Sequence, residues 1–159
     1  LFLVTIFVAG CTSQQSDQLT QQQKDQIKKE VKLVSDSIVA RLERLDTTWL
    51  DYYVDSPDWV MFGADGSKWD YQTTKNAQAI FASVASYKWT TTYGHFIIVT
   101  KDVVIAASQD KDEMTMKSGE TITYDPHAYT LVFKRIDGKW KVVYSHDSGT
   151  PVMQKAGKK

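Results

Sequence analysis

The most constraining feature of this chain is the dipeptide Asp137-Gly138, set between two stretches of strand-like residues. An Asp-Gly pair supplies the two positive-φ positions of a type I′ turn, whose twist matches that of a hairpin. A two-residue loop pairs Ile136 with Lys139, and the register then propagates outward. It places Phe133 opposite Val142, Leu131 opposite Tyr144, Tyr129 opposite His146 and Ala128 opposite Asp147. Because strand side chains alternate, Arg135, Phe133, Leu131, Tyr129 and His127 share a face with Trp140, Val142, Tyr144 and His146. Lys134, Val132, Thr130 and Ala128 share the other with Lys141, Val143, Ser145 and Asp147. The first face is the one to bury. It grades from aliphatic and aromatic residues near the turn to phenols and imidazoles further along, as a cone-shaped pocket requires. The same alternation sends Asp147 away from His146, so these two neighbours are not expected to form a dyad.

Upstream, Ile27, Val31, Val34, Ile38, Leu42, Leu45, Trp49 and Tyr52 recur every three or four residues and form one apolar helical stripe. This helix is predicted to run from about residue 20 to 53, with a kink near Asp46-Thr47. It must stop before Ser56-Pro57, since a residue preceding proline disfavours the α conformation. Trp59 to Phe62 reads as a short strand ended by the turn Gly63-Ala64-Asp65-Gly66. A second helix is predicted over about Thr73 to Ser86, with Ala77, Ile80, Phe81 and Val84 on one face. Everything after it is β-branched, aromatic or alternating: Trp89 to Val99, Val103 to Ser108, Glu113 to Lys117, Thr121 to Ile136 and Lys139 to His146. Helices followed by a strand meander give an α+β fold, with both helices packed on one strongly curved antiparallel sheet.

A chain of 159 residues is the size of one domain. Its 19 Lys+Arg balance 19 Asp+Glu, so the basic footprint of a nucleic-acid binder is missing and no nucleic acid is expected as partner. The single cysteine excludes a disulfide framework and a multi-cysteine zinc site. His95, His127 and His146 are widely separated, so no metal is expected, and no glycine loop suits a phosphate-bearing cofactor. That cysteine, Cys11, follows the apolar run Leu1–Val8 and the small residues Ala9-Gly10, and precedes the polar tract Thr12 to Gln23. The apolar run is shorter than the roughly 20 residues a membrane span needs, but it suits a signal peptide. The segment resembles a bacterial lipoprotein lipobox. The resemblance implies cleavage before Cys11, a diacylglycerol on its thiol, membrane lipid as a partner, and a place in the bacterial cell envelope on the periplasmic or outer-membrane side. The expected organisation is a signal over 1–10, a lipidated cysteine and flexible tether over 11–24, a domain over 25–150 and a basic tail over 151–159.

Three stretches carry a second resemblance: Trp49-Leu-Asp-Tyr-Tyr53, Asp55-Ser-Pro-Asp-Trp-Val-Met-Phe-Gly-Ala-Asp-Gly66, and Gly138-Lys-Trp-Lys-Val-Val-Tyr-Ser-His-Asp-Ser148. Over roughly residues 30 to 150 the chain resembles the nuclear transport factor 2-like superfamily, and within it the SnoaL-like domains. The resemblance implies a curved sheet packed on a long helix, open at one end into an apolar pocket, with a homodimer through the sheet. Members include ketosteroid isomerases, polyketide cyclases, dehydratases, epoxide hydrolases and non-catalytic association domains, so the fold alone does not name a reaction.

The expected pocket wall comprises Trp49, Tyr53, Trp59, Phe62, Trp89, His127, Tyr129, Leu131, Phe133, Trp140, Tyr144 and His146. Acid–base chemistry in such a pocket needs a base with a shifted pKa and a donor for developing oxyanion charge. The inward-facing candidates are His127 and His146 as bases and Tyr129, Tyr144 and Tyr124 as donors, and an enzyme reading rests on His146 and Tyr129. Asp46, Asp51, Asp55 and Asp70 lie near the helix end or the pocket mouth, and His95 sits on a strand face of undecided side. Three readings stay open: a lipid-anchored protein binding a small apolar or amphipathic ligand, an isomerase, dehydratase or cyclase, and an association domain pairing through Thr130, Val132 and Val143.

Overall fold

The computed structural model describes residues 18–155, so the lipobox and Cys11 lie outside the described residues. Helix α1, Gln21–Glu43, starts at Thr20, whose hydroxyl accepts from the Gln23 amide while the Gln23 side chain accepts from the Thr20 amide. This reciprocal capping box satisfies two of the free amides of the first turn. The helix ends ten residues earlier than its apolar stripe suggests. Leu45 takes φ 55°, and Asp46 then caps a separate 3₁₀ helix, Thr47–Tyr52, by accepting from the Thr48 amide. The expected kink is thus a full break, and Trp49 and Tyr52 stay near the stripe because the 3₁₀ turn folds back on α1.

The second helix is shorter than expected. Asp70 caps α2, Tyr71–Ala77, and a 3₁₀ helix, Gln78–Ser83, leads directly into the sheet. Six strands follow the order β2-β1-β6-β5-β4-β3: β1 Val60–Phe62, β2 Lys68–Trp69, β3 Val84–Thr100, β4 Val103–Met116, β5 Thr121–Ile136 and β6 Lys139–Gln154. The sheet is mixed rather than wholly antiparallel, because β1 runs parallel to β6. β4 is continuous through the polar stretch Gln109–Asp112, where the sequence suggested an interruption. β6 continues to Gln154, opposite Thr121.

The inner face of the sheet packs on α1 through Ile27, Val31, Ile38, Val104, Phe133, Trp140 and Val142, with Leu50, Tyr53 and Trp59 completing the core. Near the Asp137-Gly138 turn, a partly exposed clasp closes the sheet over the helix. Glu30 accepts from Arg135 at 2.7 Å and from the Trp140 indole at 3.0 Å, while the Arg135 guanidinium lies 4.4 Å above the Trp140 ring. The indole hydrogen bond, reinforced by Gln26 and Arg135, outweighs burial and holds the Glu30 carboxyl down at about 2. Among the described residues, no helix is long and apolar enough to cross a membrane.

Candidate active site

The hairpin register holds for its first four pairs, Ile136–Lys139 through Phe133–Val142, and then slips. Val143 is an extra residue on β6, so Val132 faces Tyr144, Thr130 faces His146 and Tyr129 faces Asp147. The slip falls where β6 acquires partners on its other side. Tyr53 bridges to Val142, the Val54 amide donates to the Val142 carbonyl at 3.0 Å, and β1 pairs with Tyr144–His146. A bulge adds one residue and reverses every side chain beyond it. Ser145 and Asp147 therefore turn inward, and His146 lies exposed beside Phe62, at 6.2 Å between ring centroids. The expected Tyr129–His146 pairing is replaced by Tyr129 and His127 with Asp147.

A second irregularity shapes the far end of β5. Asp125 and Pro126 together oppose the single residue Lys111, since Asp110 pairs with His127 and Asp112 with Tyr124. Proline lacks the amide a regular ladder needs, so a bulge is the place for it. The bulge lets Tyr124 and His127, three residues apart, stack on the same face at 4.3 Å and 15°. Gly149 lies opposite His127, and a Cβ there would come within 2.9 Å of the imidazole. Only glycine admits so close a ring.

These elements meet in a cavity of about 460 Å³, walled by Met61, Trp69, Met114 and Ile122 and floored by a hydrogen-bonded cluster. His127, 3% exposed, places Nδ1 2.7 Å from Asp112 Oδ2 and Nε2 3.1 Å from Asp147 Oδ2. The hydroxyls of Tyr129 and Tyr87 donate to that same Asp112 oxygen at 2.9 and 3.2 Å. Trp89 lies 4.5 Å from the Tyr129 ring and closes the side toward β3. Burial alone would depress the His127 pKa. Hydrogen bonds to Asp112 and Asp147, with their charges, overcome this and lift it to about 9. The ring is therefore an imidazolium at neutral pH, with both N–H groups donating to carboxylates. Burial, and then the negative charge of Asp147, Asp65 and Asp112, raises the Tyr124 pKa. Burial first, with Asp112 close by, also pushes Tyr87 and Tyr129 well up, so all three phenols keep their protons.

Of the residues singled out from sequence, His127, Tyr129, Tyr124 and Trp89 converge here. Tyr53, Trp59, Phe133 and Trp140 belong to the core, with Leu131 packed against it. Trp49 lines an adjoining apolar chamber. His146, Phe62 and Tyr144 sit on the other side of β6 or at its β1 border. His95 is exposed on β3, Asp46 and Asp70 are helix caps, and Asp51 and Asp55 are exposed. Asp112 and Asp147 are the carboxylates of this cluster that sequence reading missed. The alternation Ala106, Ser108, Asp110, Asp112, Met114 holds the signal for Asp112, once β4 is read as unbroken. A larger open groove of about 860 Å³ runs past Lys101, Asp102 and the first turns of α1, but its close charge cluster is structural, with Arg135 paired to both Glu30 and Asp102. Among the described residues, no three His, Cys, Asp or Glu side chains are arranged to hold a metal ion.

A family model described as SnoaL-like domain matches residues 31–153. No curated protein matches significantly in sequence. Solved structures do match in fold. A proposed scytalone dehydratase from Novosphingobium aromaticivorans aligns with TM-score 0.76 at 9% identity, covering 88% of this chain and 94% of that one. A hexachlorocyclohexane dehydrochlorinase from Novosphingobium barchaimii gives 0.68 at 11%, over 88% and 99%. A nuclear transport factor 2-like superfamily protein from Salmonella enterica gives 0.70 at 14%, over 79% and 92%. At these identities the likeness is one of fold.

Proposed function

The chain belongs to the SnoaL-like domain family, and from that premise we propose that it is an acid–base pocket enzyme acting on a small organic substrate by elimination or isomerisation. The observation that carries this reading is the imidazole of His127 held between two carboxylates on the cavity floor, 2.7 and 3.1 Å away. Asp147 is the proton acceptor, oriented by the His127 imidazolium. Asp147 lines the cavity, and its Oδ1 has no hydrogen-bond partner among the described residues. The Asp147 carboxylate takes the substrate proton, and the N–H of His127 holds that carboxylate in place. Asp112, anchored by Tyr129 and Tyr87, holds the ring in place. Tyr124 keeps its proton and lies in the wall, so it supplies the donor for charge developing on a substrate oxygen or leaving group. Two fold neighbours named for eliminations, the proposed dehydratase and the dehydrochlorinase, agree with this reaction class.

The test is deuterium exchange and product formation by NMR, over a panel of small ketones and of hydroxy or chloro compounds with an acidified C–H. Exchange or elimination is expected for the native protein, with a loss of about 10²-fold or more in His127→Gln and Asp147→Asn. Failure across the panel, or variants as active as the parent, refutes the reading.

The outer sheet face supports a homodimer. On the edge strand β3, Tyr93, Ile97 and Val99 share one face and are 60%, 47% and 54% exposed, near the Thr130, Val132 and Val143 side of the sheet. Light scattering should give twice the chain mass, reduced to one by Ile97→Lys. Anchoring of the domain to a membrane through a diacylated Cys11 is tested by mass spectrometry of the native N-terminus. An unmodified peptide running through Gly10 into Cys11 rules it out.

A further inference from the structure

The cavity is acidic beyond what proton transfer requires. Its wall includes three carboxylates, Asp65, Asp112 and Asp147, against the single imidazole of His127, and no Lys or Arg. With His127 protonated, the balance of these four groups is two negative charges. Asp112 is 3% exposed, and its Oδ1, like that of Asp147, accepts no hydrogen bond among the described residues. Behind them Asp110, 1% exposed, adds a further carboxyl whose Oδ2 accepts from Ser108. Buried carboxylate oxygens without donors are costly and call for a cation or a strong donor. The rings of Trp69, Tyr87 and Tyr124 line the same space, and aromatic faces attract cations.

A second chamber adjoins the first. It measures about 250 Å³ and shares Met61, Trp69, Tyr87 and Met114 with the acidic cavity. Beyond this common wall it is lined mainly by apolar groups, among them Leu42, Trp49, Ala77 and Phe81. One chamber is acidic and aromatic, the other greasy, and flexible methionines stand between them.

We propose that the ligand is an amphipathic ammonium, with a protonated amine seated against Asp112 and Asp147 and an apolar body running past Met61, Trp69 and Met114 into the second chamber. This deepens the reading above by naming its substrate class, and it rests on that reading only for the identity of the site. Anionic ligands are rejected by the uncompensated carboxylates.

The test is calorimetric titration of the native protein with n-butyl-, n-hexyl- and n-octylammonium, and with hexanol and hexanoate. Hexylammonium should bind at least tenfold more tightly than hexanol, with hexanoate weakest. Affinity should rise about threefold to fourfold per methylene until the second chamber is filled. The isosteric variant Asp147→Asn should weaken hexylammonium about tenfold and leave hexanol unchanged. Ala77→Trp should abolish the gain from hexyl to octyl while leaving butylammonium binding intact. Hexanol or hexanoate binding as well as hexylammonium, or no binding by any probe, overturns the proposal. His127→Gln separates the two ideas, because turnover is lost there while ammonium binding is retained or tightened. An inactive native protein that prefers ammonium sinks only the catalytic reading, and an active one indifferent to charge sinks only this one.

Discussion

The two ends of the β5–β6 hairpin are made of the same strands and do opposite things. At the turn, Arg135, Trp140 and Glu30 close a dry core of Phe133, Val142 and Val31, each of these three 0% exposed. Eight residues along β5, roughly 27 Å at strand rise, His127, Asp112 and Asp147 form a buried charged cluster beside a cavity. One end is regular in register and filled. The other is bulged twice and hollow. Regular pairing serves packing, whereas bulges re-aim side chains, and here they bring a carboxylate and two rings to a single point.

The comparison breaks most sharply at the packed end. Phe133→Ala should cost about 3–5 kcal/mol by cavity formation, seen in chemical denaturation. The His127 imidazole resonances should be little changed below the transition, because the two ends are separate. At the hollow end, Gly149→Ala should cost less, about 1–3 kcal/mol. It drives a Cβ within 2.9 Å of His127 and 3.1 Å of Tyr124, so the ring stack must shift. Proton exchange should fall by more than the loss of stability explains.

pH should separate the ends in opposite directions. Glu30 sits at about 2 when folded against a model value of 4.5, so its contribution is present above 4.5 and is lost as pH falls through 2. His127 sits at about 9 against 6.5, so its contribution is complete below 6.5 and is lost as pH rises through 9. Thermal melts should show both limbs, the alkaline one amounting to roughly 5 °C. His127→Gln should remove the alkaline limb alone. The smallest effect is Glu30→Gln, about 1 kcal/mol from weakened hydrogen bonds to Arg135 and Trp140, with loss of the part of the acid limb that Glu30 supplies. A Glu30→Gln variant that also shifted the His127 titration would show that the two ends are coupled after all.

Much of the fold was legible because its signals are local. The Asp137-Gly138 turn determined the first four residue pairs of the β5–β6 hairpin, and the three-to-four spacing of Ile27, Val31, Val34 and Ile38 determined the core-facing stripe of α1. The break at Leu45 and the early end of α2 were less visible, since tertiary contacts set where a helix yields to a 3₁₀ turn. The site was half legible. His127 and Tyr129 stood on the correct face of β5, but their carboxylates lie on β4 and β6, and neither was chosen.

Turn chemistry and periodicity act between near neighbours in the chain, so residue types alone determined an α+β domain and the inward face of β5. The direction of Asp147 and His146 depended on one extra residue, Val143, and on Tyr53, Val54 and β1 docking on the outer edge of β6. Those partners are 84 to 89 residues distant in sequence, and only the assembled sheet could decide which of two adjacent side chains would meet the imidazole.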